Sequence, residues 1–463
     1  MSAPLDRMRA LAAGVLLATL LGGLSAARAQ DEAWIAEPMP PGFRVEQTEL
    51  AGPVFADPAG RTLYRWPTRV MRNGITGDQQ GKRPNCSDRK TRVTAGLMSP
   101  YPPGLALPDL ASRPSCAEMW PPALAPDNAT PVGAWTLIAR DEGTRQWAYD
   151  GWPLYYSQFD QGPGDVIGGV LEDKDAILEL RVDFPAIRGA VGPRPRIPAG
   201  FNVITTIRGR QLVMRNGQAV YTSERDPPGH SNCVGDCASV WTPLIAPALA
   251  RPHGEWSLVE RAPGVMQWAF RNRPLYLYTL DPPPIHRVVP YLDGIDVPGW
   301  HAVYVRKAPP PPPEFTVQEA HFSQVLADAE GRTLYLYNCS DDAVDQLSCD
   351  HPATTQFYRL AVCGGGDAAK CQVNWPYVRA AAGAKHTSRS WTVIEIDPAT
   401  GHRAATGQAG ALRVWAFRDR PVYIFSGDRR PGDTNGDAIG EYEGRRNGFV
   451  AFRYRTVIDE PNN

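Results

Sequence analysis

One arrangement of residues occurs three times in this chain of 463 residues. Each copy has Phe-x-Val, a turn that leads into a strand, Cys-x-x-x-Trp, a strand containing Trp and then an aromatic phrase. The three phrases are "QWAYDGWPLYY" from Gln146, "QWAFRNRPLYLY" from Gln267 and "VWAFRDRPVYIF" from Val414. Landmarks repeated in one order indicate tandem duplication, so the chain is predicted to fold as repeated units rather than around one core.

The segments between the copies give the predicted domain boundaries. The segment "GAVGPRPRIPAG" (189–200) separates the first two copies, and a proline run, Pro309–Pro313, separates the second from the third. Such a run favours polyproline II and acts as a semi-rigid spacer. We predict repeat domain 1 at 38–188, repeat domain 2 at 197–307 and repeat domain 3 at 312–458, called units 1, 2 and 3 below.

The pattern within each unit is typical of an all-β protein. The chain contains 43 Gly and 46 Pro residues, and short aromatic-rich segments lie between the resulting turns. An inner repeat, "GRTLYLY" and "NRPLYLY", alternates as a strand does. We predict three tandem hairpin-rich domains, each a small sandwich or barrel of two half-repeats. The alternative is a six-bladed β-propeller with one half-repeat per blade, although the proline run argues against closure.

The aromatic phrases place Trp147, Trp268 and Trp415 at equivalent positions, and each is followed by Ala. Large aromatic side chains dominate small cores, so core packing is one interpretation of these residues. The other interpretation is an exposed aromatic platform for a sugar or a peptide. The burial of the three Trp side chains distinguishes the two.

The N-terminus has the features of a secretory signal peptide at residues 1–29. Basic Arg7 and Arg9 precede an apolar run from Leu11 to Leu21, and "ARA" before Gln30 is a small-x-small cleavage site. We expect no lipid anchor, since no Cys lies near that site, and no transmembrane segment, since no later apolar run approaches about 18 residues. The predicted location is periplasmic or secreted.

Tyr-x4-Asp recurs in the half-repeats. The pairs are Tyr155/Asp160, Tyr221/Asp226, Tyr276/Asp281 and Tyr423/Asp428, while Tyr64 and Tyr335 have Arg69 and Ser340 at the Asp position. With "GRTLY", "QWAY" and "PGD", these pairs resemble the bacterial secreted-repeat family, often described as predicted lipoproteins of unknown function. The resemblance implies architecture and export, and no catalytic residue. Each Asp is expected to start an Asx-turn or to bind a ligand or cation.

Eight cysteines in an exported chain indicate disulfide bonds. The predicted pairs are Cys86–Cys116, Cys233–Cys237, Cys363–Cys371 and Cys339–Cys349. Alignment of "CGGGDAAKC" with "CVGDC" supports the third pair, and a Cys339–Cys371 pair stays open by analogy with the wide spacing in unit 1. In Cys-x-x-x-Trp a helical turn places both side chains on one face, so the Trp is expected to cover the disulfide.

Two segments contain residue types that bind metals. Cys233 and Cys237, with His230 nearby, are thiolate and imidazole ligands of the kind that copper(I) selects. The segment "DTNGDAIGE" starts like a calcium loop but departs from that pattern at its sixth and twelfth positions, so an acidic hairpin turn is the competing interpretation. The calcium candidates are Asp433, Asn435, Asp437 and Glu441.

The functional class follows from what the sequence contains and lacks. The net charge is −1 without long charged blocks, which argues against a nucleic-acid partner. There is no Gly-x-Ser-x-Gly, phosphate loop or dinucleotide fingerprint, so no residue is singled out as catalytic and enzymatic activity is left open. We predict an exported, non-catalytic binding or scaffold protein with a protein or carbohydrate ligand. The alternative is an extracytoplasmic copper-handling or redox protein.

Overall fold

The computed structural model describes residues 32–65, 81–84, 86–88, 115–168, 190–281, 283, 292–321, 323–339, 351–354, 356–437, 439 and 447–456. Within these ranges short antiparallel strands form separate sheets of two to five strands, with few helices and no closed barrel. Each sheet takes all of its strands from one unit. The prediction of a repetitive all-β fold is confirmed, while the predicted signal peptide lies outside the described residues.

Unit 1 contains two small sheets, β1-β2 and β3-β4-β5. Its strands are β1 (Arg44–Gln47), β2 (Pro53–Ala56), β3 (Trp135–Ala139), β4 (Arg145–Tyr149) and β5 (Trp152–Pro153), and its helix is α1 (Cys116–Met119). A capping box at Ser115 and Glu118 starts this helix, because each side chain accepts a backbone N–H from the other residue.

Unit 2 has three sheets, in the orders β6-β7-β15, β10-β11-β12 and β9-β13-β8-β14. Its strands are β6 (Phe201–Thr206), β7 (Gly209–Met214), β8 (Tyr221–Ser223), β9 (Trp241–Pro243), β10 (Trp256–Ala262), β11 (Val265–Phe270), β12 (Arg273–Pro274), β13 (Tyr276–Tyr278), β14 (Trp300–Ala302) and β15 (Tyr304–Lys307). It also has helix α2 (Asp236–Val240) and a 3-10 helix, Asp293–Asp296.

Unit 3 repeats the plan with sheets β16-β17-β23 and β19-β20-β21-β18-β22. Its strands are β16 (Thr316–Ala320), β17 (Ser323–Ala327), β18 (Tyr335–Cys339), β19 (Trp391–Ile396), β20 (Leu412–Phe417), β21 (Arg420–Tyr423), β22 (Asn447–Ala451) and β23 (Arg453–Thr456). Its helices are α3 (Phe357–Gly364) and α4 (Ala368–Asn374).

The aromatic phrase of every unit forms a hairpin, β4-β5, β11-β12 or β20-β21. The two residues at each tip have positive φ: Asp150–Gly151, Arg271–Asn272 and Arg418–Asp419. Positive φ at both central residues defines a type I′ turn, whose twist suits two antiparallel strands. The hairpin is therefore closed by the backbone in all three copies, even where the tip contains no glycine.

The strand predicted for "RPLYLY" is divided in the structure. β12 pairs with β11, whereas β13 pairs with β9 and β8 in a different sheet. Leu275 lies between them; its N–H donates to Trp268 O at 3.0 Å and its carbonyl accepts from Leu244 N–H at 2.9 Å. The chain therefore changes sheets at this one residue while its backbone groups stay paired.

The two halves of each unit meet at a pair of tyrosines. Tyr221 of β8 lies opposite Tyr276 of β13, and Tyr335 of β18 lies opposite Tyr423 of β21. An isolated bridge joins Tyr64 to Tyr155 in the same way. Because strands of the two half-repeats pair with each other, a half-repeat does not form an independent blade. This arrangement differs from the six-bladed propeller alternative.

The aromatic residues of the repeated phrases form the core. Trp147, Trp268 and Trp415 are 4%, 6% and 2% exposed, and the Ala that follows each is fully buried. In unit 1, Phe43 and Phe55 pack edge-on against Trp135. These rings are packing groups, so the interpretation as exposed platforms is not supported by the structure.

Units 1 and 3 touch through the segment from Phe159 to Ile167. Phe159 stacks on His351 of unit 3, with ring centroids 4.0 Å apart. Arg420 Nη1 donates to Ile167 O at 2.8 Å, and Arg418 Nη2 donates to the carbonyl oxygen of Val166. Buried cations that bond to carbonyls of another unit fix the relative position of the two units more firmly than a spacer would alone.

Candidate functional site

The Tyr–Asp pairs are exchanged between half-repeats in the structure. In unit 2, Tyr276 of the second half donates its hydroxyl to Asp226 of the first at 2.5 Å. Tyr221 of the first half donates in turn to Asp281 of the second. The Tyr and Asp of one Tyr-x4-Asp motif therefore do not bond to each other here, and sequence spacing alone gave no signal of the exchange.

Units 1 and 3 contain one exchanged pair each. Tyr64 donates to Asp160 Oδ2 at 2.8 Å, and Tyr335 donates to Asp428 Oδ2 at 2.8 Å. These two tyrosines are the ones followed by Arg69 and Ser340, which lie outside the described residues. Tyr64 and Tyr335 therefore each bond to the Asp of the other Tyr-x4-Asp position in their unit, Tyr155/Asp160 and Tyr423/Asp428.

In three of these Asp residues, the second carboxylate oxygen caps the next loop. Asp160 Oδ1 accepts the N–H of Ile167 at 2.9 Å, Asp428 Oδ1 accepts from Asn435 at 2.9 Å, and Asp226 Oδ1 accepts from Asn232 at 2.7 Å. These bonds span six or more residues, so the carboxylate closes a longer loop than an Asx-turn. The contacts of the motif therefore support a role for its Asp residues in holding loops.

The environment of Asp160 changes its proton affinity. Burial raises the pKa of this carboxyl to about 7, against the lowering effect of its bond from Tyr64. Burial also raises the pKa of Asp428, which occupies the same position in unit 3. Because the ionised form is the one disfavoured, the capped loop of unit 1 includes a group that titrates near neutral pH.

The carboxylates of the calcium candidate are engaged by the protein. Asp433 Oδ2 accepts the backbone N–H groups of Arg429 and Arg430, both at 2.9 Å. Asp437 accepts the N–H of Ala451 at 2.9 Å and pairs with Arg453. Asn435 donates its N–H to the capping Asp428, and Glu441 lies outside the described residues. Among the described residues no three His, Cys, Asp or Glu side chains converge as a metal site.

Three disulfides are present among the described residues, with S–S distances of 2.04, 2.01 and 1.95 Å. They join Cys86 to Cys116, Cys233 to Cys237 and Cys363 to Cys371. The last pair excludes the Cys339–Cys371 alternative, and the Cys339–Cys349 prediction lies outside the described side chains. The bond between Cys233 and Cys237 leaves neither sulfur as a thiolate for copper, and His230 is exposed.

A helical turn seats a tryptophan on each disulfide. The N–H groups of Trp120, Trp241 and Trp375 donate to the carbonyls of Cys116, Cys237 and Cys371 at the ends of α1, α2 and α4. Each Trp belongs to the same buried cluster as the disulfide of its unit. Trp241 continues into a stack with Trp300, whose ring centroid lies 3.7 Å away. In each unit the disulfide and the helical turn thus hold the core Trp in place.

Unit 3 contains a buried cation that sequence reasoning missed. Arg359 of α3 is 2% exposed, and its Nη1 lies 3.0 Å from Cys371 Sγ. Its Nε donates to Gln356 Oε1 at 2.9 Å. Gly401 has φ +76°, and a Cβ atom there would lie 1.8 Å from Arg359 Nη2. Glycine is therefore required where the backbone packs on the guanidinium.

A cleft of about 600 Å³ lies at the junction of units 1 and 2. The charged residues that line it are Glu32, Arg65, Asp150, Arg194, Arg210 and Arg215. The joining segment forms one wall, and it is itself held, because Arg194 O accepts Ile35 N–H at 2.8 Å and Arg196 donates its N–H to Ala33 O at 3.0 Å. The sequence predicted this segment as a joint and gave no signal that it lines a cleft.

Comparison with known protein families finds a match for the repeat. Residues 136–169 and 202–245 match the model of a family described as "Secreted repeat of unknown function". The first segment runs from β3 to the capped loop of unit 1, and the second runs from β6 to just beyond β9 of unit 2. The resemblance to a secreted-repeat family is thereby confirmed, and it indicates an exported protein. No curated protein and no solved structure matches the chain.

No helix in the described ranges has both the length and the apolar character that crossing a bilayer requires.

Proposed function

We propose that this chain is an exported, non-catalytic binding protein, periplasmic or secreted, whose units form a scaffold around a ligand cleft between units 1 and 2. The cleft carries the proposal. Its volume of about 600 Å³ falls within the range of small-molecule sites, about 300 to 1,000 Å³, and polar and apolar groups converge on it. Domain junctions are frequent positions for such sites.

The contacts between units support the scaffold part of the proposal. The N-terminal segment pairs with the joining segment through a bridge between Trp34 and Pro195. Thr205 of unit 2 donates to Leu50 O of unit 1 at 2.9 Å. Leu50 also packs in one buried cluster with Trp391 of unit 3. A cleft whose walls are tied in this way is largely formed before a ligand arrives, which reduces the entropy lost on binding.

A ligand screen with a blocked variant tests the proposal. Thermal-shift screening of neutral and charged sugars, peptides and organic acids selects compounds, and calorimetry then measures their affinities. Ala199 lines the cleft from an exposed position, so Ala199→Trp fills the space without disturbing the core. Ala382→Trp, exposed on unit 3, is the matched control. We expect Ala199→Trp to lose at least about tenfold in affinity and the control to bind as the native protein does.

Two results would overturn the proposal. In the first, no compound binds, or every compound binds to Ala199→Trp as tightly as to the native protein. In the second, purified protein contains stoichiometric copper that survives dialysis, in the presence or absence of reductant, which would favour the metal-handling alternative.

A further inference from the structure

The charged groups that line the cleft differ in whether they are paired. Arg210 is paired: its Nε and Nη2 each lie 3.0 Å from a carboxylate oxygen of Glu32, and its Nη1 donates to Thr205 Oγ1 at 3.0 Å. Arg210 and Glu32 are both buried. The charges of Arg210 and Glu32 neutralise each other, so this ion pair forms part of the wall and leaves no net charge for a ligand.

Arg65 and Asp150 form a second, looser combination. The carboxylate of Asp150 and the hydroxyl of Tyr149 oppose the effect of burial, which lowers the pKa of the Arg65 guanidinium. The same guanidinium lies 5.2 Å from the ring centroid of Trp152. Asp150 occupies a hairpin tip with positive φ, so its position is set by the β4-β5 turn. One positive and one negative charge again balance.

Arg194 and Arg215 remain. Both side chains are exposed, and neither forms an ion pair with a carboxylate in the described part of the chain. Their backbones are held, since Arg194 O accepts a hydrogen bond from Ile35 and Arg215 N–H donates to Gly200 O at 2.8 Å. Two guanidiniums on fixed backbone, in a cleft whose other charged lining residues balance one another, attract a negatively charged group.

The rest of the lining is apolar and suits a carbon skeleton. Val191, Pro193, Ile197 and Phe201 contribute to it, together with further prolines of the joining segment. A bare inorganic ion would leave this surface without a partner, whereas an organic molecule covers it and gains from its burial. The dimensions of the cleft also exceed those of a single small ion.

We infer that the cleft binds an organic anion whose carboxylate or phosphate groups contact Arg194 and Arg215 and whose carbon skeleton lies along the joining segment. The inference rests on the proposed function, because it assigns the ligand class of the same cleft. Guanidinium forks pair with the two oxygens of a carboxylate or phosphate in bidentate geometry, which makes such a group their best-matched partner.

Calorimetry with matched charged and neutral probes tests the inference. The charged probes are citrate and trigalacturonate, the neutral ones are triethyl citrate and the methyl ester of trigalacturonate, and inorganic phosphate is the bare ion. We expect at least one carboxylate probe to bind about tenfold or more tightly than its ester, and to weaken as salt rises. Arg194→Gln combined with Arg215→Gln should remove this preference. Arg225→Gln combined with Arg251→Gln, two exposed arginines of unit 2 away from the lining, should retain it.

The outcomes separate the inference from the proposal beneath it. If the esters bind as tightly as the acids and Ala199→Trp abolishes both, the cleft is a binding site and the anion assignment is wrong. If phosphate alone binds as tightly as the organic probes, the role of the apolar wall is refuted. If none of the probes binds and the wider screen yields only uncharged or cationic ligands blocked by Ala199→Trp, the inference again falls and the proposed function stands.

Discussion

Replacing Asp160 by Asn removes a capping carboxylate that titrates near neutral pH, and the effect on stability should itself depend on pH. The pKa of Asp160 is about 7 in the folded protein, against an ordinary value of 3.8. A group whose pKa is raised by folding contributes its full stability below the unfolded value and loses that contribution as pH rises through the folded value. Between pH 4 and pH 8 the native protein should therefore lose stability relative to the Asn variant.

The magnitude follows from the size of the shift. A change of about three pKa units corresponds to roughly 4 kcal/mol in the free energy of unfolding. The side chain of Asp160 retains partial solvent exposure, and water screening reduces the effect, so we expect about 2 to 3 kcal/mol. Asn keeps an acceptor for Ile167 N–H and can donate its amide to the Tyr64 hydroxyl, so the loop remains capped at every pH.

Urea unfolding of both proteins at pH 5, 6, 7 and 8 measures the difference, and hydrogen exchange of residues 161–168 locates it. Asp433→Asn is the control, because backbone hydrogen bonds to this partly exposed carboxylate lower its pKa below the ordinary value of 3.8, so its contribution to stability should be constant from pH 5 to pH 8. A difference between native protein and Asp160→Asn that stays constant from pH 5 to pH 8 would refute the reasoning.

Three further predictions concern the state of the cysteines, the reduction potential of the Cys363–Cys371 bond and the independent folding of unit 2. Thiol labelling of denatured, non-reduced protein should modify none of the eight cysteines, and labelling confined to Cys233 and Cys237 would contradict this prediction. Replacing both of these cysteines by Ser should lower the free energy of unfolding by about 2 kcal/mol or less, seen as a small fall in Tm, because the loop that they close is short. Because the Arg359 guanidinium lies against Cys371 Sγ, it would stabilise the thiolate formed there on reduction, so Arg359→Met should make the Cys363–Cys371 bond harder to reduce. A tenfold change in the equilibrium with dithiothreitol corresponds to about 30 mV, Cys233–Cys237 is the internal reference, and an unchanged potential would contradict this prediction. The fragment 197–307 should unfold cooperatively, because all strands of its sheets lie within it, and an unfolded fragment would show that the units depend on one another.

Local features of the fold were predictable from the sequence because they follow from short-range chemistry. The alternation around Trp268 and Tyr276 gives strands, and the two residues after Phe270 give a tight turn. The spacing of Cys237 and Trp241 gives a helical turn that places the Trp by its disulfide. Each of these depends on residues within about one turn or one hairpin of one another.

The remaining features depend on contacts between distant residues. Tyr221 and Asp281 are 60 positions apart, and the Tyr-x4-Asp spacing gave no indication of this pairing. Arg420 reaches Ile167 across 253 positions, and neither residue differs in type from any exposed Arg or apolar loop residue. The cleft arises from how unit 1, unit 2 and their joining segment sit together, so no single stretch of sequence contains it.

The exchange of Tyr–Asp bonds in unit 2 has a consequence for the origin of the repeat. Tyr221 reaches Asp281 while Tyr276 reaches Asp226, and such reciprocity is the relation that a twofold axis imposes on identical subunits. One half-repeat alone would leave its Tyr hydroxyl and one oxygen of its Asp without the Tyr–Asp bond, whereas two identical copies would supply that bond to each other. The unit thus has the arrangement that fusing the two chains of a symmetric homodimer would give. In such a fused chain the two halves can have different residues at equivalent positions, and units 1 and 3 have Arg69 and Ser340 where their second halves have Asp160 and Asp428.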